Sequence, residues 1–167
     1  MKRRSAIVLL AAAVMLAGRA SGEVDLARIG SVQPRGRLQD NALPVVDRLI
    51  SMGPAAIPFL VSKLEDDRRI RGHVFDFWTE VRVGDVALVA LCDFFLAADE
   101  TLPTVPGLRW DSLLERKDQD VSSDVLLATF IAEHGRKEIR RRVEKLLRAY
   151  PKGFAWDEKK RCFRPSK

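Results

Sequence analysis

The chain has 167 residues, with 29 lysines and arginines against 23 aspartates and glutamates, a net charge of +6, and 47% hydrophobic residues. That hydrophobic share is ordinary for a globular protein and supports a real core, so cross-links are not needed to hold it together. Two cysteines, Cys92 and Cys162, with no CxxC spacing exclude a four-ligand cysteine zinc site and a dithiol redox motif.

The amino terminus sets the compartment. Lys2, Arg3 and Arg4 precede an unbroken apolar or small run from Ala6 to Gly18, and Ala20-Ser21-Gly22 places small residues where a signal peptidase cuts. This is the layout of a secretory signal peptide over residues 1–22. Arg19 ends the run short of the roughly 20 apolar residues that a bilayer span needs. Cleavage would start the chain at Glu23 and lead it to the periplasmic or extracellular space. It would also remove four cations and no acids, leaving a net charge of +2. What remains is polarised. Residues 23–132 sum to −6 and residues 133–167 to +8. Such asymmetry can steer an anionic partner and says nothing of fold.

Residues 23–40 scatter Gly30, Pro34 and Gly36 among charges and read as a loop or a short, poorly fixed helix. A helical domain is expected over residues 41–150. Asn41 to Met52 form its first helix, with Ala42, Val45, Val46, Leu49 and Ile50 on one face. Pro44 fits a first turn, and Gly53-Pro54 ends the helix. A second helix runs from about Ala55 to Glu65, with Ile57, Leu60, Val61 and Leu64 at i, i+3, i+4 and i+7.

The stretch Leu49-Ile-Ser-Met-Gly53, followed by Ala56-Ile-Pro-Phe-Leu-Val-Ser-Lys-Leu-Glu-Asp-Asp67, resembles the core of one HEAT repeat, the helical hairpin of α-solenoids. Pro58 and the apolar spacing after it carry the likeness. Val81 to Leu91, within a weaker likeness over residues 81–97, resembles the first helix of a following unit. The resemblance implies an all-α fold, a short right-handed stack of HEAT-like hairpins. It also implies a non-enzymatic binding or scaffold role with a protein partner. Solenoids generally need three or more units to bury a continuous core, and one good and one degenerate unit are legible here.

Residues 66–82 follow neither helical nor strand period, and read as a connection whose aromatics cover the ends of neighbouring helices. Val83 to Ala98 is apolar nearly all round, the mark of a central helix. Gly84-Asp85 opens it with a carboxylate that the helix dipole favours. Pro103, Pro106 and Gly107 mark a loop over residues 99–109, and Trp110 to Arg116 a short helix. The next helix is capped by Asp120 or Ser122 and ended by Gly135. Lys137 to Tyr150 is the clearest amphipathic helix, stopped by Pro151. In the tail, residues 151–167, Phe154 and Trp156 alternate with other residue types. The chain then turns at Asp157 to Lys160 and returns through Arg161-Cys-Phe-Arg, a small C-terminal β-hairpin.

Chemistry is thinly signalled. His73 and His134 belong to no HExxH, GxSxG or phosphate-loop motif, and read as surface or capping residues. Glu65-Asp66-Asp67 lacks the spacing of a calcium loop and reads as an acidic helix end. No cofactor or metal is expected, and nucleic acid is not a partner expected of an exported chain. Cys92 and Cys162 are either separate thiols or, in an oxidising compartment, a bridge. A bridge closing about 70 residues is worth roughly 4 kcal/mol in the chain-entropy model. The strongest functional candidate is the basic helix 136–148. Arg136, Lys137, Arg140, Arg141, Lys145 and Arg148, with Arg142, could meet envelope lipid, glycan or an acidic protein, or could form a solvated helix face beside acidic surface. The leading expectation is the binding module. The alternatives are an envelope-associated protein binding anionic lipid or glycan, and a small enzyme of unrecognised type.

Overall fold

The computed structural model describes residues 24–32, 37–75, 78–96, 103–115 and 121–167. The expected signal segment 1–22, Phe77 and the capping candidate Asp120 lie outside them. The described residues form six α-helices, followed by a two-stranded antiparallel sheet at the C-terminus.

Helix α1 (Pro44–Ser51) begins with Pro44, whose missing N–H belongs to the turn where no intrahelical partner exists. It buries Val46 and Leu49, while Val45 and Ile50 are half-buried. Gly53, at φ +59°, turns the chain. A 3₁₀ turn over Gly53–Ala55 then leads into α2 (Ala56–Lys63). The direction of the chain changes by 113° between α1 and Gly53–Lys63, so the pair is an open elbow. Ala56, Leu60, Val61 and Leu64 are buried and Ile57 is half-buried, on the face expected from the spacing.

The connection after α2 is extended and folded back on itself. Ile70 N–H donates to the Val81 carbonyl at 2.9 Å, and Val83 N–H to the Arg68 carbonyl at 3.0 Å. Phe75 and Trp78 are buried in it, edge to face at 5.1 Å, and Trp78 meets Trp110 at 6.0 Å. Helix α3 (Val83–Phe94) is buried at ten of its twelve residues, as a helix apolar all round must be. The Arg82 N–H at its N-cap donates to Asp85 Oδ2 at 2.8 Å, the carboxylate half of a capping box. It ends four residues earlier than its apolar run. Phe95 leaves helical geometry, and the Thr104 N–H from the following loop takes the Phe95 carbonyl at 2.7 Å. Helix α2 packs chiefly on α3.

A single turn, α4 (Trp110–Leu113), precedes α5 (Ser123–His134). Gly135, at φ +75°, makes the corner into α6 (Arg136–Leu147), which packs on α2, α4 and α5 through the buried Ile139 and Val143. The hairpin joins β1 (Phe154–Asp157) to β2 (Cys162–Pro165), with Trp156 opposite Phe163. An isolated hairpin is marginal, and this one is held by aromatics. Phe163 lies 6.0 Å from Phe94 and 5.8 Å from Phe95, and Phe154 lies 4.7 Å from Phe95.

Residues 24–32 and 37–40 differ from the loosely fixed loop expected. They make 3₁₀ turns at Leu26–Arg28 and Leu38–Asp40 and bury Val24, Leu26, Ile29, Val32 and Leu38. Gln39 is wholly buried and joins the chain ends. Its Nε2 donates to the Asp93 carbonyl at 2.8 Å and to the Arg161 carbonyl at 3.0 Å. The segment is irregular because its hydrophobics follow neither period, yet it completes the core.

Candidate functional site

The basic helix and the acidic turn, far apart in sequence, meet in the fold. Arg136 starts α6 and is only 11% exposed. Its Nη1 donates to Asp85 Oδ1 at 2.8 Å and its Nε to Asp67 Oδ1 at 3.1 Å. Gly84 makes the approach feasible. A Cβ there would stand 2.6 Å from the Leu64 carbonyl oxygen and 2.9 Å from Arg136 Nη1. Asp85 therefore holds two donors at once, the Arg82 N–H on Oδ2 and Arg136 on Oδ1. Its side chain is 6% exposed, so the charge pair is largely desolvated.

One turn along α6, Arg140 Nη1 reaches Glu65 Oε1 at 3.0 Å and its Nε reaches Glu144 Oε1 at 2.8 Å. Arg141 makes two 2.6 Å hydrogen bonds to Glu138. Arg142 shares Glu138 at 3.0 Å, donates to the Leu113 carbonyl at 2.8 Å and lies over the Phe130 ring at 4.7 Å. Two guanidiniums on one carboxylate hold the Glu138 carboxyl down at about 2, Arg141 contributing most. Arg148 meets Glu144 at 3.7 Å. Lys137 and Lys145 are exposed and form no ion pair among the described residues. Arg136, Arg140 and Arg142 thus tie α6 to other elements, the first two through the acidic turn, while Arg141 and Arg148 pair within α6.

The turn's third carboxylate, Asp66, is fixed by its neighbour, Arg68 Nη2 standing 2.8 Å from Asp66 Oδ2. That guanidinium lowers the Asp66 carboxyl below its ordinary range. Among the described residues no three His, Cys, Asp or Glu side chains converge as metal ligands do. His134 sits in the last turn of α5 against Phe130, 3.6 Å from Glu133. His73 is exposed in the connection, where its carbonyl accepts from Ser31 Oγ.

Both cysteines are free thiols and both are buried. The register sets Cys162 opposite Asp157. Strand alternation therefore turns Cys162 to the hairpin face away from the one that Phe163 lays on Phe94 and Phe95. Cys92 lies within α3. Burial raises both thiols above their ordinary range, Cys92 further, with the Asp93 carboxylate adding to its shift.

Hollows among the described residues include two with apolar floors or walls. One, of about 330 Å³, lies between α2 and α6, floored by Ile57, Pro58, Val61 and Leu147 and rimmed by Glu144 and Arg148. The other, of about 290 Å³, lies between the 78–85 strip and α5. Glu80, Asp85, Asp124 and Arg136 supply its polar groups, Trp78 and Leu127 part of its apolar wall. The second cleft escaped sequence reading. Asp124 looks there like a routine first-turn carboxylate, and nothing in the order of residues links it to Trp78 or Glu80. Among the described residues no helix is long and apolar enough to cross a membrane. No family model, no curated protein and no solved structure matches the chain.

Proposed function

We propose that the protein is an exported, non-enzymatic binding or scaffold module built on HEAT-like helical hairpins, with a protein as its partner. The observation that carries this reading is the apolar groove on α2. Ile57, Pro58 and Val61 belong to the stretch that resembles a HEAT unit, and they floor a hollow of about 330 Å³ open at the surface. In a solenoid such an edge is where the next unit or a partner docks. The ion pairs of α6 to Glu65, Asp67 and Asp85 favour the same reading, since they spend charge on holding helices.

The test is a pull-down from envelope extract with residues 23–167, repeated at high salt and with Val61→Arg. A protein retained at high salt and lost with Val61→Arg supports the module; retention of nothing overturns it. Export itself is checked by N-terminal sequencing of protein recovered outside the cytoplasm, with Glu23 as the expected first residue.

A second reading, attachment to anionic lipid or glycan through α6, is favoured by Lys137 and Lys145, which are exposed and without an ion pair among the described residues. It expects cosedimentation with anionic vesicles that falls with salt and with Lys137→Gln/Lys145→Gln. Cosedimentation indifferent to lipid charge sinks it.

A further inference from the structure

We propose that the cleft between the 78–85 strip and α5 receives the side chain of a lysine or arginine from a partner polypeptide. The inference rests on the binding-module reading and names the chemistry of its partner. Three features carry it.

The first is the charge of Asp124. It forms no hydrogen bond and no ion pair among the described residues, and its Oδ1 is shut off from solvent. An oxygen that has lost water and gained no donor leaves the carboxylate under-satisfied, and a cationic donor at Oδ2, the oxygen not shut off, relieves the cost. The other cleft charges are committed. Asp85 and Arg136 satisfy each other at 2.8 Å, and Glu80 faces Arg69 at 3.5 Å and Arg82 at 3.7 Å. The excess charge at the cleft is therefore negative, and it is that of Asp124.

The second is the wall. Leu127, Ala128, Ile131 and Ala132 line the cleft along α5, and Ala128 and Ala132 are exposed. Their small side chains leave room for a chain of methylenes. A bare metal ion would have no use for such a wall and would want several oxygens. A lysine or arginine stem wants an apolar wall with a carboxylate at its end.

The third is Trp78, whose ring belongs to the opposite wall. An ammonium or guanidinium beside an indole gains a cation–π contact. The cleft volume of about 290 Å³ suits one side chain better than a folded element.

The probe is the peptide acetyl-Ala-Ala-Lys-Ala-Ala-amide, followed by NMR at the Trp78 indole and the Asp124 amide. The controls are the same peptide with norleucine for lysine, and butylammonium. The lysine peptide should shift both signals saturably and the norleucine peptide should not. Asp124→Asn should weaken binding by about tenfold, the scale of one charge-assisted hydrogen bond. Ala128→Leu, which fills the wall and leaves the carboxylate, should weaken it comparably with an unchanged melting temperature. Asp47→Asn, on the exposed face of α1, should leave binding unaltered. Equal binding of the norleucine peptide, or equal loss with Asp47→Asn, overturns the site. Butylammonium binding as tightly as the peptide makes the ligand a free amine and overturns the polypeptide source. Peptide binding without any captured protein would remove the module reading and leave the cleft. A captured protein indifferent to Asp124→Asn and Ala128→Leu would do the reverse.

Discussion

Arg136 Nη1 stands 2.8 Å from Asp85 Oδ1, joining the first residue of α6 to the first turn of α3 across a contact almost closed to water. Both groups are desolvated, so the pair does not add its full Coulomb energy to stability, but neither partner can be left alone. Asp85→Ala or Arg136→Ala should each cost about 3–5 kcal/mol, read by chemical denaturation. The Asp85→Leu/Arg136→Met double variant should recover much of that loss, because apolar packing replaces a desolvated pair. A double variant as unstable as the sum of the singles would mean that the two residues act independently.

Gly84 is the condition for that pair. Its backbone N–H donates to the Asp66 carbonyl at 2.8 Å, and a Cβ would stand 2.6 Å from the Leu64 carbonyl oxygen, a backbone atom that cannot swing away. Its φ is not in the left-handed region, so the requirement is space and not conformation. Gly84→Ala should therefore destabilise, although alanine is the better helix former by about 1 kcal/mol. The expected net loss is about 1–3 kcal/mol. Arg136→Ala in the same background should cost less than it does alone, since the displaced turn has already parted Arg136 from Asp67. A gain in stability on Gly84→Ala would show that α3 and the acidic turn can separate freely.

Glu138 gives the pH dependence. Its carboxyl is held at about 2 in the folded chain against an ordinary 4.5, first by Arg141 and then by Arg142. A depressed folded value stabilises above the unfolded pKa. Its contribution is whole above pH 4.5 and is lost as pH falls towards about 2. Glu138→Gln should lower the melting temperature at neutral pH, and the gap to the parent should close across that window. A gap constant down to the acid end would show that Glu138 contributes nothing through its charge. The effect should be modest and should weaken with salt, because the carboxylate is near the surface.

Periodic elements were legible in the sequence, and contacts across the chain were not. Leu60, Val61 and Leu64 fall where the spacing puts them, and Gly53 and Gly135 end helices at positive φ as their positions imply. The tail pairs as a hairpin because Trp156 and Phe163 lie at matching places around a turn. Residues 24–32 and 37–40 defeated the same reasoning. Leu26, Ile29 and Leu38 are core residues with no repeat to announce them. The ion pairs of the basic helix were illegible for another reason. A row of arginines has one appearance whether its partners are outside the protein or, as with Glu65, Asp67 and Asp85, inside it. Pairing depends on the tertiary path that brings residue 136 to residue 85, and no local pattern encodes that path.

The thiols report on the docking of the hairpin. Cys92 is 2% exposed and Cys162 wholly buried, and burial raises both, so neither is accessible as thiolate near neutral pH. The native chain, never exposed to reductant, should react with less than one equivalent of maleimide, and the unfolded chain with two. Zero equivalents after unfolding would reveal a Cys92–Cys162 bridge. Phe163→Ala should separate the two residues. Phe163 is the aromatic that sets β2 against Phe94 and Phe95, and its loss should cost about 3–5 kcal/mol. That loss falls on the hairpin, so Cys162 should become reactive at denaturant concentrations where Cys92 remains protected. Simultaneous labelling of both, resolved by peptide mass mapping, would show that the hairpin and α3 unfold as one unit and that the aromatic contact is shared rather than local.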